Sequence, residues 1–452
     1  MHINLAIEKL INNFLTLINM AEKKEHADLE GMRFHKNACA LTNTKLYSPD
    51  HTAMSGLCAN CIMCGMCEVG LKAKTGRTLF PSPFGTAQFG AEKRLANMED
   101  LQIMPELYGE GYFFTKVKTE TTIGGFKVTV PLVIAGMGST KVASDKNDEL
   151  TIGAAKAGIP RVLGENYYIT FGEEKVKETI ELYKKNQKEG YGGFIVQINA
   201  NEHKLGLPKL AVEFGADAIE FKIGQGAKQG MGGEIQFEGE ELAEKFRKAG
   251  YEVIKKENGK YERHAFPGSL SSESLRETLK EYASYGKPLW VKTGMGVGII
   301  KLIEELEKIK KEEDLPIELL TVDGFGGGTG MSPWLVMNEM NMPSGALFAV
   351  LKKRPSFDII LAGGYATGFD VAKAMMLGAD GVAMGRPFLI AVRQPEGIEK
   401  FCKALDEELR MVAVTQKVNE LSKIVGKRKA LFALSKEAKD MFGITTEPKD
   451  VL

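Results

Sequence analysis

The chain has 452 residues, of which 44% are hydrophobic and 26% are charged, and its formal net charge at pH 7 is zero. Such a composition is typical of globular proteins with a sizeable core, and a neutral balance gives no reason to expect binding to nucleic acid or to a membrane surface. No run of about 18 consecutive apolar residues is present, so we expect no membrane-spanning helix.

The first predicted element is an amphipathic helix in residues 1–20, where apolar residues recur at helical spacing. Glu8 and Lys9 interrupt the apolar part and no small-residue cleavage site follows, so a signal peptide is not indicated. We expect a cytoplasmic protein in three parts. These are an N-terminal helix with a cysteine-rich segment in 1–112, a barrel in 113–390 and a helical C-terminal extension in 391–452.

Four of the six cysteines lie close together, at Cys58, Cys61, Cys64 and Cys67. Without a secretory signal, metal binding is a better interpretation than disulfides. Zinc sites usually have two separated C-x2-C pairs, whereas successive C-x2-C spacings resemble the ferredoxin run. The pattern predicts an iron–sulfur cluster of the 4Fe-4S type, with zinc as the alternative. Glu68 stands where that run continues towards a further Cys and Pro, so the fourth ligand is either Cys58 or the distant Cys39.

Alternating polar and β-branched residues in 115–130 predict a β-hairpin around Gly124 and Gly125, expected to plug the bottom of the domain that follows. The predicted strands beyond it are 131–135, 160–163, 193–198, 216–222, 288–292, 317–323, 358–362 and 380–384. Helices are predicted between them, including 148–157, 176–188, 208–214, 271–285 and 299–311. Eight strands separated by helices predict an α/β fold, a (β/α)8 TIM barrel. Residues 232–268 form a long excursion after strand four, expected to cover the barrel mouth.

Residues 358–388 contain two successive strand ends that finish in glycine. Gly363 and Gly364 follow strand seven, while Gly385 and Arg386 follow strand eight. Glycine turns let backbone N–H groups approach a ligand, and an arginine adds a guanidinium, so the pattern favours a phosphate site. In TIM barrels the phosphate site usually lies after these two strands. The alternative is an ordinary βαβ unit with tight turns.

Three lysines, Lys222, Lys228 and Lys292, are predicted to lie at the ends of strands four and five. Their charges would repel one another at one barrel mouth unless anions lay between them. A cofactor phosphate, an anionic ring or a dicarboxylate would meet that need.

Three longer motifs resemble the FMN-binding synthase domain of ferredoxin- and NADPH-dependent glutamate synthases. They are KIGQGAKQGMGG in 222–233, DGFGGGTGMSP in 323–333 and LAGGYATGFDVAKAMMLGADGVAMG in 361–385. Residues 263–268 match that family's R-x-x-x-P-G, and Gly164 with Glu165 matches the start of its G-E-G-G. The resemblance covers residues 130–390, with the motifs in order along the barrel.

The resemblance implies a set of FMN-binding positions: Gly136, Met137, Gln197, Lys222, Lys292, Gly327, Gly328, Thr329, Gly363, Gly364, Gly385 and Arg386. It also implies a 2-oxoacid held by Gln225, Lys228 and Arg263, with Glu165 close by. In those roles Arg263 would grip a carboxylate, Lys228 would polarise the carbonyl or imine, and Glu165 would handle protons of incoming ammonia. Lys292 would stabilise negative charge on the reduced ring.

The implied reaction is reduction of 2-iminoglutarate, formed from 2-oxoglutarate and ammonia, to L-glutamate. Ferredoxin is the expected electron donor, acting through the cysteine cluster, because no Rossmann G-x-G-x-x-G follows a strand. The family's amidotransferase domain has no counterpart, so ammonia is expected from solution or from a separate glutaminase subunit. The family's cluster cysteines after strand eight are replaced by a lone Cys402, and Asn166 and Tyr167 stand in place of two glycines. A homo-oligomer is expected.

Other functions remain open beside this one. A related N-methylglutamate synthase-type subunit would use methylamine, and an electron-transfer subunit would keep FMN without chemistry of its own. A 2-hydroxyacid oxidase needs a histidine near strand seven, but no histidine follows His264. An inosinate-type dehydrogenase needs a cysteine on the strand-six loop, which reads GFGGGTGMSPW. The last two are disfavoured.

Overall fold

Eight parallel strands close into a barrel in the computed structural model of the chain. The structure describes residues 77–78, 86–87, 96–139, 141–224, 234–257, 259–265, 270–324, 342–392 and 394–452. The barrel strands are Leu132–Met137 (β1), Arg161–Leu163 (β2), Phe194–Ile198 (β3), Ala218–Lys222 (β4), Leu289–Gly294 (β5), Ile317–Asp323 (β6), Asp358–Ala362 (β7) and Gly381–Met384 (β8). Each strand pairs with its neighbour in sequence, and β8 closes on β1. The predicted TIM barrel is confirmed.

Helices connect the strands on the outside of the barrel. The longer ones are Asn147–Ala157, Glu173–Asn186, Leu207–Glu213, Ser272–Ala283, Ile299–Glu313 and Gly368–Leu377, and the shorter ones are Lys141–Ser144, Tyr167–Phe171, Ala200–His203, Leu347–Val350 and Arg386–Ala391. Helix Ile299–Glu313 buries Ile299, Ile303, Leu306 and Ile309, a spacing that places one apolar stripe against the strands. None of the described helices is both long and apolar enough to span a bilayer.

A hairpin formed by Thr121–Ile123 and Phe126–Val128 seals the amino-terminal end of the barrel. Trp290 of β5 donates its indole N–H to the Gly124 carbonyl over 2.9 Å, and the Gly124 N–H donates to Asp358 Oδ2 over 2.9 Å. A Cβ on Gly124 would lie 2.5 Å from the Trp290 nitrogen, so this tight contact requires glycine. The predicted plug is confirmed.

The excursion after β4 forms a small layer of its own. Glu234–Phe237, Tyr261–His264 and Glu252–Lys255 make an antiparallel sheet in that spatial order, with helix Glu240–Lys248 beside them. Phe246 and Tyr251 pack against Ile169, which lies in the helix after β2. This contact places the layer at the carboxyl end of the barrel, as predicted.

The C-terminal residues pack on the barrel. Helix Gly397–Thr415 lies against Asn147–Ala157 and Gly368–Leu377, and Lys436–Phe442 is the last α-helix. Strand Leu431–Ala433 pairs antiparallel with Leu101–Ile103. The predicted helix in 1–20 and the cysteine-rich segment lie outside the described residues, and the predicted domain boundaries stay predictions.

Candidate active site

Acidic and basic side chains face each other at the carboxyl ends of the strands. Glu165 follows β2, and its carboxylate accepts a hydrogen bond from the ammonium of Lys222, the last residue of β4. Their side chains are 13% and 9% exposed. The pair joins residues from strands that are not neighbours, because side chains at the strand ends converge on one mouth. Two of the predicted site residues are therefore brought together.

A polar layer lies one step deeper, inside the barrel. Glu220 of β4 accepts hydrogen bonds from Gln197 Nε2 of β3 and, over 3.1 Å, from Thr321 Oγ1 of β6. Lys292 of β5 lies 3.3 Å from Asp323 Oδ2 at the end of β6, and both side chains are 6% exposed. Below this layer the interior is apolar, with Trp290, Leu319 and Ile360 among its members.

Carboxylates of the protein itself balance the lysines of this region. Burial alone would lower the pKa of Lys292, but Asp323, Glu220 and Glu165 outweigh it and raise that pKa. Burial raises the pKa of Glu220, against the attraction of Lys292. Internal acids thus supply the opposite charge for Lys222 and Lys292, and the prediction that these two lysines need ligand anions is wrong.

Gln197 presents a buried acceptor. Its side chain is 1% exposed, and Oε1 has no hydrogen-bond partner among the described residues. Asp323 Oδ1 is also buried and also has no hydrogen-bond partner among the described residues. Gly136 makes room for the amide, since a Cβ there would lie 2.6 Å from Gln197 Nε2. Buried polar atoms normally have partners, so an unused acceptor here points to a ligand with a donor group.

The turn after β2 is locked by polar contacts. Asn166 has φ 70° and ψ −1°, the left-handed conformation in which Asn is tolerated better than most residues. Its side-chain oxygen accepts from the Tyr251 hydroxyl, which in turn accepts from Asn199 Nδ2 over 2.9 Å. The Asn166 N–H donates to Glu202 Oε1 over 2.6 Å. Asn166 thus adopts the backbone that the glycine of the resembling motif would allow, and ties the turn to the excursion layer.

Arg263 lies within the excursion layer. Its guanidinium carbon lies 3.7 Å from the centre of the Phe246 ring, and the residue is 3% exposed. Burial lowers the pKa of Arg263 to about 10, while Tyr251, Glu165 and Glu202 act in the opposite direction. The electrostatic influence of Glu165 shows that the predicted pair Arg263 and Glu165 lie in one charged neighbourhood.

Glu202 shares this neighbourhood without exposure to solvent. Burial, helped by the nearby charge of Glu165, raises the pKa of Glu202 to about 8. At neutral pH this carboxyl is therefore largely protonated and adds little negative charge beside Glu165.

The glycine turns follow β7 and β8, where the sequence placed them. Gly363 and Gly364 have φ angles of 97° and 88°. A Cβ on Gly363 would lie 2.7 Å from the Gly324 carbonyl oxygen, so the turn packs closely on the end of β6. Gly385 follows β8 directly, and helix Arg386–Ala391 begins after it.

The longer helix after β7, Gly368–Leu377, has its amino terminus capped by the protein. Thr367 caps the Asp370 N–H over 3.1 Å, Asp370 accepts from the Thr367 N–H, and Glu408 accepts from the Gly368 N–H. Because side chains already use these donors, an anion would be bound by the glycine turns rather than by this helix.

Several predicted residues lie outside the described residues: Gln225, Lys228, Gly327, Gly328, Thr329, Cys39, Cys58, Cys61, Cys64 and Cys67. The side chain of Arg386 is likewise outside. Within the described part, no group of three or more His, Cys, Asp or Glu side chains could hold a metal. Cys402 is a buried free thiol whose pKa is raised by burial.

Sequence reasoning missed Glu220, Glu202 and Tyr251. Glu220 had a usable signal, since Ala218, Glu220 and Lys222 alternate along β4 and must share its inward face. Glu202 and Tyr251 had none, because their contacts with Asn166 join distant segments.

Comparison with known proteins agrees with this architecture. A family model described as a conserved region in glutamate synthase matches residues 93–395. The chain is 25% identical over 306 residues to the archaeal glutamate synthase (NADPH) of Archaeoglobus fulgidus, covering 66% of this chain and 52% of that protein. It is 24% identical over 331 residues to a glutamate synthase large subunit-like protein of Rhizobium meliloti, covering 67% and 66%.

Among solved structures, a flavocytochrome b2 variant with bound sulfite matches with a TM-score of 0.54 and 19% identity, covering 76% of this chain and 78% of that one. At that identity the likeness concerns the barrel fold. The chain spans about half the length of the Archaeoglobus protein and about two thirds of the Rhizobium protein.

Proposed function

This chain belongs to the glutamate synthase family, and on that premise we propose that it is an FMN-dependent oxidoreductase that reduces 2-iminoglutarate to L-glutamate. The imine would form from 2-oxoglutarate and ammonia with loss of water. The observation that carries the proposal is the buried acceptor of Gln197, which has no hydrogen-bond partner among the described residues, inside a barrel of this family.

The described residues fit FMN. Gln197 Oε1 needs a donor, and Gly136 leaves the space in which the Gln197 amide lies. Lys292 supplies a buried positive charge that suits an electron-rich ring. The turns at Gly363, Gly364 and Gly385 would hold the phosphate, with Arg386 beside it. Bound FMN supplies hydride transfer.

The substrate side follows from the charges at the mouth. Arg263 and Lys228 would provide two cations for a dicarboxylate, and Gln225 would be a further contact. Glu165 is held in place by the Lys222 ammonium. A carboxylate in that position can take a proton from ammonium and return one to the amine that forms. Glu202 next to it is largely protonated at neutral pH, so it does not compete for the cations.

Electrons would enter through an iron–sulfur cluster at Cys58, Cys61, Cys64 and Cys67, with ferredoxin as the donor. The name of the Archaeoglobus relative includes NADPH, so the donor must be tested directly. Ammonia would come from solution or from a separate glutaminase subunit.

The test is an anaerobic assay of the full chain. Purified protein is examined for FMN and iron, then mixed with 2-oxoglutarate and 15N-ammonium, with reduced ferredoxin or NADPH as the donor. We expect 15N-glutamate by mass spectrometry and reoxidation of the reduced flavin only when both substrates are present. Parallel reactions with glutamine and methylamine distinguish a glutaminase-coupled enzyme and the related N-methylglutamate synthase reaction. Flavin that stays reduced in every mixture would rule the proposal out.

The cluster has its own test. Cys61→Ser should lower the iron content of anaerobically purified protein, and a comparison of Cys58→Ser with Cys39→Ser should identify the fourth ligand. Cys402→Ala is the matched control, because this buried thiol lies in helix Gly397–Thr415 on the barrel. Equal iron in all variants would show that the cysteine run holds no cluster.

A further inference from the structure

Glu220 is an acid placed inside the barrel with both oxygens engaged. It lies in the middle of β4 and is 1% exposed. Oε2 accepts from Gln197 Nε2, and Oε1 accepts from Thr321 Oγ1 over 3.1 Å. Among the described residues Lys292 is the cation with the largest influence on it. Burying a carboxylate is costly, so packing alone does not account for an acid at this position inside the barrel.

The consequence of this placement is seen at Gln197. A carboxamide has a donor end and an acceptor end of nearly the same shape, and either could face a ligand. Both oxygens of Glu220 act as acceptors, and Oε2 faces Gln197, so Glu220 selects the NH2 end of the Gln197 carboxamide. The acceptor end, Oε1, is then left without a partner among the described residues, in a side chain that is 1% exposed.

The ligand group that would satisfy this oxygen follows from flavin chemistry. Within the ring system of an oxidised flavin N3–H is the only N–H donor, and the two carbonyl oxygens, N1 and N5 are acceptors. A reversed Gln197 amide would instead place a donor opposite a donor. The direction of one carboxamide thus decides whether a hydrogen bond to N3 is made or lost.

We propose that Glu220 is a positioning residue that fixes the direction of the Gln197 carboxamide, so that its oxygen faces the flavin N3–H. This inference rests on the proposed function, because it takes FMN as the ligand. The competing explanation is that Glu220 only balances the charge of Lys292. The two explanations differ in what matters at position 220, which is an acceptor oxygen in the first and a negative charge in the second.

The variants Glu220→Gln and Glu220→Met separate these explanations. Glutamine keeps an acceptor oxygen and loses the charge, whereas methionine has a similar volume and loses both. The apoprotein of the full chain is titrated with FMN, and the dissociation constant is measured from flavin fluorescence. We expect Glu220→Gln to bind FMN within about threefold of wild type and Glu220→Met to bind about tenfold more weakly, the equivalent of one hydrogen bond.

A double-mutant cycle with Gln197→Ala tests whether the effect passes through the amide. In that background Glu220→Met should change FMN affinity by less than about twofold, since there is no carboxamide left to orient. Thr321→Val is the control: it removes the 3.1 Å bond to the other oxygen of Glu220 but leaves the contact with Gln197, so FMN binding should match wild type.

The outcomes are distinct. Equal weakening in Glu220→Gln and Glu220→Met would overturn the proposal in favour of charge balance, as would an undiminished effect of Glu220→Met in the Gln197→Ala background. If Glu220→Met does not fold, Glu220→Gln decides the question, because it loses the negative charge and keeps an acceptor oxygen. Binding of FMN within about threefold of wild type would agree with the proposal, and a loss of about tenfold would overturn it in favour of charge balance. Wild type that binds FMN but makes no glutamate would overturn the proposed reaction alone, whereas wild type that binds no FMN would overturn both.

Discussion

Asn166 combines an unusual backbone with a buried hydrogen bond, and the two can be separated by mutation. Its φ of 70° lies in the left-handed region, which glycine adopts more readily than residues with a Cβ. Its side-chain oxygen accepts a hydrogen bond from the Tyr251 hydroxyl. Asn166→Gly removes the hydrogen bond and leaves a backbone that glycine adopts freely. Asn166→Ala removes the same bond and keeps a Cβ without the local polar contacts that help Asn in this conformation.

The expected magnitudes follow from these two contributions. Loss of the buried hydrogen bond costs about 1–2 kcal/mol in both variants. Alanine in the left-handed region costs about 1–2 kcal/mol more. We therefore expect Asn166→Gly to lower the free energy of unfolding by about 1–2 kcal/mol and Asn166→Ala by about 2–4 kcal/mol. The backbone N–H of residue 166 keeps its bond to Glu202 in both variants.

The measurement is urea unfolding followed by circular dichroism, with wild type and variants at equal flavin occupancy. Tyr251→Phe is the matched control, because it removes the hydroxyl without touching the backbone of Asn166. In the Tyr251→Phe background Asn166→Ala should cost only the conformational part, about 1–2 kcal/mol. Equal stabilities of Asn166→Gly and Asn166→Ala would refute the claim that the left-handed backbone matters here.

Three further predictions concern the barrel interior and its plug. Burial raises the pKa of Asp358 to about 6. Between about pH 4 and 6 the native state therefore binds more protons than the unfolded state, and the protein loses stability as pH rises through that window. Asp358→Asn should raise the free energy of unfolding at pH 7 by up to about 3 kcal/mol and have no effect near pH 4, as measured by urea unfolding; a pH-independent difference would contradict this. Trp290→Phe should cost about 1–3 kcal/mol by leaving the Gly124 carbonyl without its donor, with faster hydrogen exchange in the hairpin as the check. Lys292→Met should lower the free energy of unfolding by about 3–5 kcal/mol and abolish FMN binding. Adding Asp323→Asn should recover part of that stability but not FMN binding, because Glu220 still lacks its cation.

Much of the architecture was predictable from periodicity. The predicted bounds of all eight strands lie within two residues of the observed bounds. Short apolar runs between glycine turns and amphipathic helices are typical of buried barrel strands. The hairpin around Gly124 and the excursion of 232–268 were also predicted. Their contacts could not be predicted in the same way. The hydrogen bond from Trp290 to Gly124, for example, depends on the packing of residues far apart in sequence.

The positions of several site residues were predictable from the sequence, but the ion pairs between their side chains were not. The predicted strands placed Glu165 and Lys222 at strand ends, and the structure finds them there, whereas Gln197 and Lys292 lie within their strands, deeper in the barrel. The expectation that ligand anions separate the lysines was wrong for Lys222 and Lys292, because the opposite charges come from Glu165 and from residues of β4 and β6.

The amino-acid sequence by itself determined the number and order of strands and the glycine turns that close β7 and β8. These depend on local preferences and on a two-residue period, which every short window of the chain carries. Only the tertiary structure decided that Lys222 pairs with Glu165, that Asn166 meets Tyr251, and that Glu220 turns the Gln197 amide. Those contacts depend on the closure and stagger of the barrel, which set the heights of distant side chains and cannot be read from any one segment.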